Sequence, residues 1–177
     1  PVASIRAMAE VLTLAKTDDP KQRSEYLQAI SDESQRLSRL IDDVLDVSRI
    51  ERGAFRVEAE PTALAEVIQG VAEGLGPTAK AEGHEITLDL ASDLPPCLLD
   101  RVLYARALSN LIVNAIKYAG EAKGIVITAT LNGETVDVAV RDSGIGIPLA
   151  EQSRVFERFV RGSAGQGRTG SGLGLSI

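Results

Sequence analysis

The sequence has no tryptophan, three phenylalanines, three tyrosines, one cysteine, one histidine and one methionine in 177 residues. So sparse an aromatic set offers no stacking platform for single-stranded nucleic acid. With 19 basic against 25 acidic residues, a formal net charge of −6, the chain also lacks the surplus of Lys and Arg that nucleic-acid phosphates require. Any anionic ligand must be held locally. Cys97 has no partner for an internal disulfide and cannot build a cysteine-based metal site, so its expected role is packing in a reducing compartment. No apolar run approaches the roughly 18 residues that span a bilayer, and no signal peptide is present. These absences predict a soluble, cytoplasmic segment, with any membrane attachment left to segments absent from this chain. Pro1 in place of Met, and an apolar run still in progress at Ile177, lead us to expect a fragment truncated at both ends.

Two phosphate-binding motifs are missing as well. No G-x-x-x-x-G-K-[ST] segment occurs, which excludes a Walker loop, and GSGLGL (Gly170–Leu175) neither matches G-x-G-x-x-G nor comes after a strand in a βαβ unit, which argues against a dinucleotide fold.

The remaining composition is an ordinary globular balance, 44% hydrophobic and 25% charged, enough for one substantial core or two small ones. Between Pro20 and Arg52, Leu27, Ile30, Ser34, Leu37, Ile41, Val44 and Ser48 recur at alternating steps of three and four, a heptad stripe that Leu40, Leu45 and Val47 widen to a second face. An earlier helical pattern places Ile5, Met8, Leu12 and Ala15 on one side, and TDDP breaks the two apart, with Pro20 suited to a first helical turn. Residues 1–52 are therefore expected to form an antiparallel hairpin. Two helices cannot enclose a bundle core, which predicts a dimer of hairpins making four helices. Residues 53–61 read as an extended linker ending in Pro61.

From Thr62 the pattern runs helix (Leu64 to Leu75), strand (HEITLDL), proline-rich loop, helix (Val102 to Tyr118), then two strands, GIVITATL and TVDVAV, separated by Asn132, Gly133 and Glu134. Asn-Gly is a strong hairpin signal. Helices with antiparallel strands in this order predict an α+β fold, a sandwich over residues 62–177. The stretch RGSAGQGRTGSG is too rich in Gly and Ser to pack and reads as a lid or binding loop.

Three features converge on one ligand. LSNLIVNAIKYAG sets Asn110, Asn114 and Lys117 on one helical face, opposite an apolar ridge of Leu108, Leu111, Ile112 and Ala115. RDSGIGIP puts Asp142, Gly144 and Gly146 on the turn that leaves a strand, where glycine permits positive φ or a close approach to the main chain. Gly170, Gly172 and Gly174 precede an apolar run and are placed to open a helix whose N–H groups receive phosphate oxygens.

These segments resemble, in order and spacing, the boxes of sensor histidine kinases: NLIVNAIKY the N box, RDSGIGIP the G1 box, VFERFVR the F box and GSGLGLSI the G2 box. PVASIRAMAEVL is similar to the stretch just after the family's H box, and SRIERG to the end of its second dimerisation helix. The resemblance implies a homodimeric core that binds ATP and Mg²⁺, phosphorylates a histidine on its hairpin and passes the phosphoryl group to the receiver domain of a response regulator. It implies that Asn114 helps hold Mg²⁺ with Asn110 beside it, that Lys117 neutralises phosphate charge, and that Asp142 accepts from the adenine amino group. Gly144 and Gly146 would let the chain lie against the base, Tyr118 would flank the nucleotide, and Phe156 and Phe159 would anchor the base of the lid. Gly170, Gly172 and Gly174 would supply the lid's hinge and its phosphate-facing amides.

The sequence departs from the family first in its phosphoacceptor: the acceptor histidine is not in it and would lie just upstream of Pro1. The single histidine, His84, is expected to be a surface or edge residue with no acceptor role. The strands and helix expected after GLGL are also missing. Two other readings stand beside the kinase. An ATPase of the gyrase, MutL and Hsp90 group would carry an acid where this chain has Asn110, and lacking that base, water would be activated poorly. A non-catalytic dimeric relay would bind nucleotide without transferring phosphate.

Overall fold

A computed structural model describes residues 2–14, 19–52, 56–120, 124–157, 160 and 174–176. The chain forms two compact units, Pro1–Phe55 and Arg56–Ile177.

The first unit is a helical hairpin of α1 (Val2–Thr13) and α2 (Pro20–Glu51), which pack on each other. Asp19 caps the start of α2, its carboxylate accepting from Lys21 N at 2.9 Å, and Pro20 takes the first helical position, where its missing N–H has no partner to lose. Much of the heptad stripe stays uncovered in the single chain, Leu27 being 59%, Ile41 51% and Val44 54% exposed, and on the second face Leu45 is 47% exposed.

The second unit contains β1 (Glu60–Thr62), α3 (Leu64–Ala81), β2 (Glu85–Leu90), β3 (Cys97–Leu99), α4 (Arg101–Tyr118), β4 (Gly124–Asn132), β5 (Thr135–Arg141) and the short α5 (Leu149–Gln152). Strands β2, β4 and β5 form one sheet in the order β2-β4-β5, and β1 pairs with β3 in a separate antiparallel ribbon. Strict alternation along β4 sends Ile125, Ile127 and Ala129 into the core, where they meet Leu64, Ile68 and Ala72 of α3 and Leu108, Ile112, Ala115 and Ile116 of α4. Leu108, Ile112 and Ala115 of the ridge expected on α4 are its core face, whereas Leu111 is 41% exposed, and the Asn110–Asn114–Lys117 side is half-buried.

The β4–β5 hairpin closes at Gly133, in the left-handed region at φ +63°, with Asn132 opposite Thr135. Four other features differ from the sequence reading. Strand β2 pairs with β4 in parallel, not antiparallel, because α4 lies between them in sequence and a helical crossover returns the chain in the same direction. The end of the expected linker, Glu60 and Pro61, is strand β1, and the loop after the two prolines contains β3. Helix α3 runs past Leu75 and through Pro77 to Ala81.

The fourth difference is His84. It precedes the edge strand β2, yet its side chain is buried, only 7% exposed. Gly83, at φ +81°, ends α3 in a left-handed turn in which His84 N donates to Ala79 O at 2.8 Å and Gly83 N to Lys80 O at 3.1 Å. This paired closure seals the end of α3, and the side chain that follows it is buried, as is Ala79.

Candidate functional site

Helix α4 provides the platform. Asp100 starts it, one carboxylate oxygen accepting from Val102 N at 3.0 Å and Leu103 N at 3.1 Å. At the other end, the carbonyls of the last turn have no partner within the helix. Tyr118 O finds one across the chain, accepting from Ile145 N at 3.3 Å. The turn after β5 is therefore seated on the C-terminal end of α4, next to Lys117 and one turn from Asn114.

Gly144 makes that seating possible. A β-carbon at this position would lie 2.7 Å from the Ala119 Cα and closer still to the Tyr118 carbonyl oxygen, against backbone that cannot give way. The glycine expected to admit a ligand instead admits the end of α4. Gly146 stands in open space at φ +67°, so its requirement is conformational. Asp142 is exposed, and Gly144 N donates to its Oδ1 at 2.9 Å, which fixes the carboxylate at the mouth of the turn. Among the described residues nothing donates to its other oxygen.

On the polar side of α4, the Asn110 amide nitrogen donates to Gly174 O at 2.9 Å, across 64 positions of sequence. This bond places Gly174 beside Asn110. Asn114 is half-buried, and its amide has no hydrogen-bond partner among the described residues, a polar group poised for an outside ligand. Lys117 and Tyr118 are half-buried on the same stretch. Phe156 is 67% exposed. Phe159, Gly170 and Gly172 lie outside the described residues. Gly174, and Gly144 with Asp142 two residues before it, are thus brought to the helix on which spacing had already set Asn110, Asn114 and Lys117, by contacts that the sequence did not reveal. Asp100 was not singled out from the sequence, although an aspartate directly before a periodic apolar run is an N-cap signal.

No group of three or more His, Cys, Asp or Glu side chains able to cage a metal occurs among the described residues. A hard cation here fits as Mg²⁺ held by one or two protein oxygens and by a ligand's phosphates, and the amide oxygen of Asn114 suits that arrangement.

A helical hairpin thus precedes a helix-and-sheet unit in which the C-terminal end of one helix meets a glycine turn. Residues 1–53 match the His Kinase A (phospho-acceptor) domain, and residues 99–177 match the histidine kinase-, DNA gyrase B- and HSP90-like ATPase family. The chain is 33% identical over 172 residues to the alginate biosynthesis sensor protein KinB of Pseudomonas aeruginosa, covering 96% of this chain and 29% of that protein. It is 32% identical over 177 residues to the sensor protein KdpD of Escherichia coli, covering 100% of this chain and 20% of that protein. The crystal structure of full-length ShkA in complex with AMPPNP superposes with a TM-score of 0.73 at 28% identity, covering 99% of this chain and 36% of that one. The chain belongs to the sensor histidine kinases and corresponds to their core, a minor part of the length of these curated relatives.

Proposed function

We propose that the chain binds Mg-ATP against the C-terminal half of α4 and serves the transfer of the γ-phosphoryl group to a histidine ahead of Pro1, from which an aspartate in the receiver domain of a response regulator takes it. One observation carries this reading: the seating of Gly144 on Tyr118, which brings the Asp142 carboxylate to the same helix end as Asn114 and Lys117. The AMPPNP bound by full-length ShkA supports a nucleotide as the ligand.

Each residue then has a part. Asp142 accepts from the 6-amino group of adenine and disfavours guanine, which presents an acceptor at that position. Asn114 offers its amide oxygen to Mg²⁺, with Asn110 beside it held by Gly174. Lys117 balances phosphate charge, Tyr118 flanks the nucleotide, and Phe156, Phe159 and the glycines 170, 172 and 174 belong to the segment that closes over it. Bound Mg²⁺ supplies charge neutralisation along the phosphates. No carboxylate stands at position 110 to activate water, so the phosphoryl group is kept for a protein nucleophile. Buried His84 is not that nucleophile.

The exposed apolar stripe of α2 supports homodimerisation through the hairpin, and no helix among the described residues is long and apolar enough to cross a membrane. We place the core in the cytoplasm, attached to a membrane only through segments absent from this chain, and the acidic balance supports no nucleic-acid partner. The experiment is incubation with γ-labelled ATP of this chain and of a protein extended upstream to include the histidine and downstream to include the strands expected after GLGL. Acid-labile, alkali-stable label on the extended protein alone is expected. Label at His84, or none on the extended protein, overturns the assignment.

A further inference from the structure

The carboxylate of Asp100 does more than cap α4. Its Oδ1 takes the N–H groups of Val102 and Leu103, while Oδ2 accepts the N–H of Glu58 at 3.1 Å, 42 positions earlier in the chain. Glu58 lies in the segment Arg56–Ala59, through which the chain enters the second unit from the hairpin.

The register explains why a side chain is needed there. In the β1–β3 ribbon Glu60 faces Leu99, so continuing the ladder would set Glu58 against Arg101. At Arg101 the strand has already become α4, and its backbone serves the helix. The Asp100 carboxylate takes over the role of the next ladder acceptor and so extends the attachment of the incoming chain by two residues. Both loads fall on one rigid group, with one oxygen for the linker and the other for the helix.

We propose that Asp100 is a positioning residue that couples the linker segment Arg56–Ala59 to helix α4, so that nucleotide at the far end of the helix and attachment of the linker at its near end favour each other. This rests on the reading of α4 as the nucleotide platform. Asn110 and Asn114 lie about 15 and 21 Å along the axis from Asp100, at about 1.5 Å per residue, on a continuous helix that moves as a body. Coupling between two sites is reciprocal: if ATP favours the clasped arrangement, the clasp favours ATP by the same factor.

Asparagine separates the two roles of Asp100. Its single carbonyl oxygen continues to cap α4, because asparagine is as good a cap as aspartate. Its NH₂ group meets the Glu58 N–H donor to donor and cannot accept. In the wild-type chain, saturating Mg-ATP is expected to slow hydrogen exchange at the Glu58 amide about fivefold or more, the lower end of ordinary coupling factors. In Asp100→Asn that protection disappears and ATP binds more weakly by a similar factor, while exchange at Val102 and Leu103 stays as in the wild type. Glu58→Pro removes the donor and leaves the carboxylate intact; it should weaken ATP binding as Asp100→Asn does, and the double variant no further. This second route serves if Asp100→Asn does not fold.

Calorimetry on the wild type separates the two claims. Absence of ATP binding overturns the nucleotide reading and this proposal with it. ATP binding with Glu58 exchange unchanged, or with protection that persists in Asp100→Asn, overturns the clasp alone.

Discussion

Gly144 is pressed against the carbonyl of Tyr118, so that the turn after β5 and the end of α4 form one backbone-to-backbone contact with no room for a β-carbon. The same contact lets Ile145 N satisfy that carbonyl at 3.3 Å. A carbonyl with no partner within its own helix thus becomes the point on which the turn carrying Asp142 is seated. Gly144→Ala must push the turn off α4, and overpacking against main chain costs about 1–3 kcal/mol. Urea unfolding should show that loss together with weakened ATP binding. Gly124→Ala, where a β-carbon meets nothing within 4 Å, should be close to neutral in both.

Gly146 gives a different prediction. With open space around it and φ at +67°, the strain in Gly146→Ala comes from the backbone alone, about 1–2 kcal/mol for a left-handed L-residue. Asparagine tolerates that region better, so Gly146→Asn should recover part of the loss in thermal unfolding. Gly144→Asn should recover none.

The hairpin should be dimeric in solution. An α2 that leaves Leu27, Ile41, Val44 and Leu45 about half exposed presents a contiguous apolar stripe of the kind that marks an interface. Light scattering should report twice the chain mass, and aspartate at both Leu37 and Ile41 should halve it. A monomer for the unmodified chain contradicts the four-helix arrangement.

Acid should weaken the second unit partly through Asp100. The N–H of Leu103 first, then that of Glu58, with Val102 adding to both and burial opposing them, hold this carboxyl below its ordinary value of 3.8. A carboxyl whose folded pKa is depressed contributes stability that is fully present above the unfolded value and is lost as pH falls through the folded one. The difference in unfolding free energy between the wild type and Asp100→Asn should therefore be full near pH 7 and shrink below about pH 3.8. A difference independent of pH contradicts the assignment of these bonds.

The long elements were legible because they repeat. The heptads of α2, the ridge on α4, of which Leu108, Ile112 and Ala115 but not Leu111 proved buried, and Asn132-Gly133 between β4 and β5 each state their geometry within a few residues. Strands β1 and β3 were not, since three residues are too few to show alternation and their pairing depends on partners far along the chain. The direction of β2 is set by a crossover, and the burial of His84 by how α3 ends, neither of which is a property of the strand's own sequence. At the site, the residue types were visible and their neighbours were not. Gly144 reads as a ligand glycine until Tyr118 is found against it, and Asp100 reads as a cap until Glu58 is found on its other oxygen.

The most direct test of the account is calorimetric titration of this chain with Mg-ATP, beside Asn114→Ala and Asp142→Asn. The arrangement around α4 predicts that the wild type binds ATP and prefers it to GTP. Each substitution should weaken binding about tenfold to a hundredfold, the worth of one polar contact in a closed site. The Asn114 loss should shrink when Mg²⁺ is withheld, and the Asp142 loss should persist. Wild-type affinity in both variants, or no preference for ATP over GTP, would contradict the placement of nucleotide at the joint between α4 and the Asp142–Gly146 turn.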